Sequence, residues 1–218
     1  MRYLSLSLAL AAFAWGAESQ SAYESDPKGW TDLMPRTDSL PGWTRIPDAK
    51  SPQLAEPSPW VLDQSSKTLV CNGDRAGHEY LQVAGQEFGD FILHVEWRFA
   101  PVAGENVKYN SGILFRDSAD MTIWHQAQTG PSGGFLFGVF PVDGENKRVM
   151  RKDQMTENRV KPAGEWNVYE VTAKGRKVTL WVNGATVNDL DTPVLKGYLA
   201  LESEGYKIEF RNLAIKPQ

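Results

Sequence analysis

The sequence predicts an all-β fold, a two-sheet sandwich of the jelly-roll kind, and three observations carry that prediction. The stretch FILHVEWRF, Phe91 to Phe99, alternates strictly, with Phe91, Leu93, Val95, Trp97 and Phe99 on one side and Ile92, His94, Glu96 and Arg98 on the other. Side chains of a strand point to opposite faces in turn, so one side is apolar and the other polar. Similar short segments, separated by Gly, Pro, Asn and Asp, recur along the chain, and no stretch shows a long period of 3.6. In VTLWVNGATV, Asn183-Gly184 supplies the two positive-φ positions of a tight type I′ hairpin.

Taken in order, residues 1–17 have the layout of a secretory signal peptide: Arg2, an apolar run from Leu4 to Phe13, then small residues at Ala14, Gly16 and Ala17. Cleavage after Gly16 is favoured, because cleavage after Ala17 would put Trp15 at a small-residue position. The run is short for a membrane span, so the expectation is an exported protein, periplasmic or extracellular, with no integral membrane segment in the mature chain. Residues 18–28 read as a flexible lead-in and 29–218 as a single β-sandwich domain, a size that buries a real core. From Gly29 to Pro59 the text is rich in Pro, Gly, Ser and Asp and reads as ordered loop with short strands, pinned by Trp30 and Trp43.

Strands are then expected at Trp60–Leu62, Thr68–Cys71, Tyr80–Val83, Phe91–Phe99, Ser111–Arg116, Thr122–Gln128, Gly134–Val139, Trp166–Ala173, Lys177–Val182, Gly197–Glu202 and Lys207–Ile215. The charged interval Asp143–Lys161 reads either as a long loop or as containing a helical turn.

Composition excludes several classes. The full chain carries 23 basic and 27 acidic residues, net −4, with no basic patch for nucleic acid. The single cysteine, Cys71, leaves no intrachain disulfide and reads as a small buried hydrophobe. Three histidines without CxxC or HExxH give no zinc motif, while a metal held mainly by carboxylates stays open.

In a sandwich the two inner faces form the core, and a curved sheet turns its outer row into a groove. On this reading Glu96 and Arg98 look into the groove, joined by Arg116 from NSGILFRD, by Trp124, Gln126 and Gln128 from TIWHQAQTG, and by Glu202 and Glu204 from LALESEG. The glutamines are placed outward because a buried pair of amides needs many hydrogen-bond partners, which puts His125 core-side or at an edge. Trp124 is the one tryptophan in phase with the groove, hence a sugar-stacking candidate. Asn110 either touches sugar or shapes a turn; Arg211 reads as locking a sheet edge, His94 as a strand-surface residue and His78 as exposed.

The runs FGDFILHVEWRF, NSGILFRD, GEWNVYEVTAKGRKVTLWVNG and GYLALESEGYKIEFRNLAIKP, in this order, resemble the bacterial 3-keto-disaccharide hydrolase domain family (DUF1080) over Gly29 to Pro217. The resemblance implies a concanavalin-like jelly roll acting on glycosides already oxidised at C3. A C3 ketone acidifies the C2 hydrogen, and loss of that proton expels the oxygen on C1; water later adds to the enone-like product. Such a site needs a base, an electrophile at the enolate oxygen and an acid for the leaving oxygen. The resemblance casts Glu96 as base, Arg116 or Arg98 as enolate stabiliser, and Glu202 or Glu204 as acid or metal ligand, with a possible divalent cation as electrophile. His125, Asn110, Gln126 and Gln128 are then substrate contacts. One departure stands out: where relatives commonly read Glu-x-Gln, this chain has Gln126-Ala127-Gln128, and an amide is no base. The rival expectation is therefore a non-catalytic carbohydrate-binding domain using the same groove; the charged row disfavours a purely structural sandwich.

Overall fold

The alternating segments become strands in a computed structural model that describes residues 18–73, 78–104 and 106–218. The expected signal peptide, with residues 74–77 and 105, lies outside the described residues. The strands are β1 Thr31–Asp32, β2 Trp43–Pro47, β3 Trp60–Asp63, β4 Thr68–Cys71, β5 Glu79–Val83, β6 Phe91–Phe99, β7 Gly112–Asp117, β8 Trp124–Gln128, β9 Leu136–Val142, β10 Glu145–Met150, β11 Asn167–Lys174, β12 Lys177–Val182, β13 Ala185–Asp191, β14 Tyr198–Ser203 and β15 Ile208–Pro217. They form two antiparallel sheets of a jelly-roll sandwich. Sheet one runs β13-β12-β11-β6-β15-β4-β3, with β1 added on β15; sheet two runs β10-β9-β8-β7-β14-β5-β2. Among the described residues no helix is long and apolar enough to cross a membrane.

The predicted inner row of β6 forms the middle of the core: Phe91, Leu93, Val95, Trp97 and Phe99 are all at most 2% exposed. Facing them from sheet two are Ile113, Phe115, Ala127, Leu136, Leu199 and Leu201, also buried. Cys71 is buried as a free thiol, and burial pushes it up to about 12, which leaves it an inert core residue. The Asn183-Gly184 turn forms as read, with φ of 42° and 107° and Val182 paired to Ala185.

One expectation is extended and one corrected. Asp143–Lys161 contains a helical turn, the second of its two readings, as a 3-10 turn at Lys152–Gln154, and ahead of it a strand, β10, which turns back on β9 through Asp143-Gly144, both at positive φ. Residues 18–28 are docked on the outer face of sheet one rather than loose. The buried Glu170 carboxylate accepts the backbone N–H groups of Ala22 and Tyr23 at 2.7 and 2.9 Å, and the Tyr23 ring stacks on His94 at 4.3 Å. A short helix, α1 Ala22–Ser25, is capped there by Ser21.

Candidate functional site

The outer face of sheet two holds a groove of about 600 Å³ whose floor and walls are rows of cross-strand neighbours. Glu202 of β14 stands opposite Tyr80 of β5, and Gln126 of β8 opposite Leu114 of β7. Gly112 decides how these rows meet: a Cβ there would lie 2.1 Å from Gln126 Nε2, so only glycine lets the Gln126 side chain lie across β7. Gln126 thereby reaches Glu202, its Nε2 donating to Glu202 Oε2 at 2.9 Å.

Glu202 is 4% exposed. Its other oxygen, Oε1, lies 2.6 Å from His78 Nε2. On the far side of that imidazole Nδ1 is 3.4 Å from Asp48 Oδ2, to which the Tyr80 hydroxyl also donates at 3.4 Å. Glu204, two residues on and half-buried, accepts from Asn110 Nδ2. Asn110 Oδ1 in turn accepts from Gln128 Nε2 at 2.7 Å, and Gln128 also donates to the Ser111 and Thr129 carbonyls. Two amide chains thus hold two carboxylates side by side.

Burial raises Glu202 above the usual carboxylate range against the pull of His78. Burial would lower His78, but Glu202, Glu204 and Asp48 outweigh it and the imidazole is raised. Tyr80 is pushed far up, first by burial and then by Glu202 and Asp48, so its phenol keeps its proton. Donor atoms of His78, Glu202 and Glu204 all lie within 4.8 Å of one another. One imidazole and two carboxylates, the carboxylates each oriented by an amide hydrogen bond and the imidazole backed by Asp48 at 3.4 Å, suit a divalent cation.

Along the groove the acidic end gives way to an apolar corner. Trp124 and Phe137 meet edge to face, centroids 5.2 Å apart at 88°, beside Met121 and Val139, with Arg148 at the rim.

Of the residues singled out in the sequence, Asn110, Trp124, Gln126, Gln128, Glu202 and Glu204 meet in this groove. Glu96, Arg98, Arg116 and His125 do not. Glu96 and Arg98 point from β6 of sheet one, the opposite outer face, where Glu96 binds Arg211 at 2.8 Å and Asn212 at 2.6 Å and Arg98 binds Glu209 at 2.6 Å. Trp166 lies against both guanidinium groups, at 4.5 Å from Arg98 and 4.0 Å from Arg211. Arg116 falls at a β-bulge: Tyr198 pairs with Asp117 and Leu199 with Phe115, so Arg116, at φ 50°, is the extra residue and leaves the alternation. Its side chain is fully buried on loop carbonyls. His125 is core, stacked between Phe115 and Phe140, with Nε2 2.8 Å from Thr192 Oγ1. Burial lowers it to about 4 and keeps it neutral.

The structure therefore turns Glu96 from a base into a stabilising group. Burial alone would raise its carboxyl; His94, Asn212 and Arg211 hold it at about 2 instead. Since His94 Nε2 is 3.9 Å from Glu96 Oε1, that contribution is electrostatic rather than a hydrogen bond. A carboxyl lowered in the folded state stabilises above its unfolded pKa and loses that effect as pH falls through the folded one. Glu96→Gln is expected to cost about 2–3 kcal/mol at pH 7, the difference vanishing as pH falls from about 4.5 towards 2. Urea melts of both proteins across that range check it.

Sequence reasoning missed Asp48, His78, Tyr80, Phe137 and Arg148. The available signal was phase: His78 and Tyr80 alternate around the buried Glu79, as Glu202 and Glu204 alternate around Ser203.

Comparison with solved structures shows the same fold at low identity. A protein of Parabacteroides distasonis ATCC 8503, provisionally assigned as a glycosyl hydrolase, superposes with a TM-score of 0.62 at 16% identity, over 93% of this chain and 100% of that one. The carbohydrate-binding module CBM66 of Bacillus subtilis gives 0.54 at 13% identity, over 80% and 95%. The β-glucanase of Bacillus licheniformis gives 0.54 at 10%, over 85% and 96%. No curated protein matches the sequence. The family profile described as 3-keto-alpha-glucoside-1,2-lyase-like domain matches residues 29–216, and the chain belongs to that family.

Proposed function

We propose that the groove cleaves the glycosidic bond of 3-keto-glycosides by removing the C2 proton. The observation that supports this most is the His78, Glu202 and Glu204 cluster in a sugar-sized groove beside an aromatic wall. His78, Glu202 and Glu204 would hold a divalent cation, which when bound supplies an electrophile for the C3 carbonyl oxygen.

The remaining groups divide the proton work. Among the described residues, Asp48 is the carboxylate of the groove outside that donor set. Its Oδ1 accepts the Lys50 N–H at 2.8 Å, while among the described residues Oδ2 has two contacts, both at 3.4 Å, which leaves room to take the C2 proton. The electron pair of the C2–H bond forms the C1–C2 double bond as the C1–O bond breaks. Tyr80, which keeps its proton, donates it to the departing oxygen and recovers one from Asp48. Trp124 offers a stacking face for the group on C1, and Gln126 and Asn110 orient the carboxylates. Addition of water to the unsaturated product would complete hydrolysis.

A carbohydrate-binding role without turnover is the second reading, favoured by Gln126 where relatives commonly carry Glu. The two separate on incubation of the purified protein with a 3-keto-disaccharide, with and without EDTA. Release of free sugar is expected, lost with EDTA and reduced at least about a hundredfold in Asp48→Asn. Saturable binding with no sugar released under either condition would establish the second reading, and full activity in Asp48→Asn would remove Asp48 from the mechanism.

A further inference from the structure

From the far end of the groove we infer that the leaving group is aromatic and carries an anion, read by Arg148; this rests on the cleavage proposed above. Neighbouring strands lie roughly 4.8 Å apart, so β9, which carries Phe137, runs about 14 Å from β14, which carries Glu202, and β10, which carries Arg148, about 19 Å from it. A sugar whose C3 oxygen meets the acidic end lies over Leu114 and Gly112 of β7 and directs its C1 substituent into the corner of Trp124 and Phe137.

That corner fits an aromatic ring better than a second pyranose. Its two walls stand at 88°, and Phe137, Val139 and Met121 supply no strong donor or acceptor. A pyranose has an apolar face for one wall, but its girdle of hydroxyls would lose water against the other without a partner. A flat ring puts its face on one wall and its edge on the other.

Beyond the corner the row continues in register from Trp124 to Val139 to Arg148. The Arg148 guanidinium lies 5.5 Å from the Phe137 centroid. Among the described residues it makes no ion pair: the nearby carboxylates Asp143 and Glu145 are both engaged by Lys147. A guanidinium over an aromatic wall suits a carboxylate on the ring that the wall holds.

The test compares 3-keto-glucosides of 4-hydroxyphenylacetate and of 4-hydroxyphenylacetamide, whose methylene insulates the leaving oxygen from the difference in charge. The acid is expected to show a kcat/KM roughly fivefold above the amide, falling with added salt. In Arg148→Met the ratio should collapse to about one. Equal values in the unaltered protein, or a preference that survives Arg148→Met, would overturn the assignment of Arg148. A neutral 3-keto-disaccharide that binds more tightly than the aryl acid would overturn the aromatic one. If neither aryl substrate is cleaved, the same ratios read as Kd decide this inference, and the missing turnover counts against the cleavage chemistry alone.

Discussion

Arg116→Ala is expected to destabilise the fold by about 3–5 kcal/mol, the cost of leaving the carbonyls that its buried guanidinium satisfies without a donor. The fully buried guanidinium donates to Gly89 O at 3.1 and 2.9 Å, to Gly175 O at 2.7 Å, to Val194 O at 3.1 Å and to Asp90 Oδ1 at 2.9 Å. It thereby ties β7 of one sheet to the loop before β6, to the β11–β12 turn and to the β13–β14 connection. Alanine leaves three carbonyls without their donor, each costing about 1–3 kcal/mol if water does not reach it. Lysine should recover only part of the loss, because one ammonium cannot reproduce a planar fork aimed at four separate groups. Arg116 does not line the groove, so below the variant's melting temperature its kcat/KM should stay within about twofold. Urea denaturation supplies the first quantity and steady-state kinetics the second. A stability loss under about 1 kcal/mol would mean that the carbonyls find other partners, and a large kinetic loss in a folded variant would restore a role at the site.

The same residue shows what a sequence can convey about such a fold. Alternation is local and strong, so the inner row of β6, the Asn183-Gly184 hairpin and most strand positions were legible. It also placed Trp124, Gln126 and Gln128 on one face of β8, and Glu202 of β14 in phase with Glu204 just beyond it. What alternation cannot say is which of two outer faces a polar row occupies. Glu96 and Arg98 look inward or outward by the same rule as Gln126 and Gln128, and only the sheet order β11-β6-β15 against β8-β7-β14 sends them to opposite sides of the molecule. A single extra residue defeats the rule altogether, as Arg116 does by leaving the alternation at its bulge. His78 was obscured differently: it lies just before β5, so its phase emerges only when Tyr80 is paired with Glu202. Asp143-Gly144 carried the same turn chemistry as Asn183-Gly184, but the charged residues of β10 hid an exposed strand.

Glu202→Gln is expected to abolish turnover while leaving the fold at least as stable, and the two effects share one cause. The carboxylate sits at the floor of the groove with Oε1 against His78 and Oε2 against Gln126, where burial penalises its charge. A group whose folded pKa is raised contributes stability at low pH and loses it as pH rises through that folded value, so ionised Glu202 is a cost at neutral pH. Glutamine keeps the shape and removes the charge. In EDTA the variant's stability should therefore equal or exceed that of the unaltered protein near pH 7, the gap closing as pH falls below the ordinary carboxylate range. Its activity should fall at least about a hundredfold, because an amide neither neutralises His78 nor serves a hard cation as a carboxylate does. Thermal melts against pH and sugar release from a 3-keto-glycoside measure the two sides. A variant that is inactive but also unstable near neutral pH would make Glu202 a structural group, and an active one would detach the buried carboxylate from the chemistry.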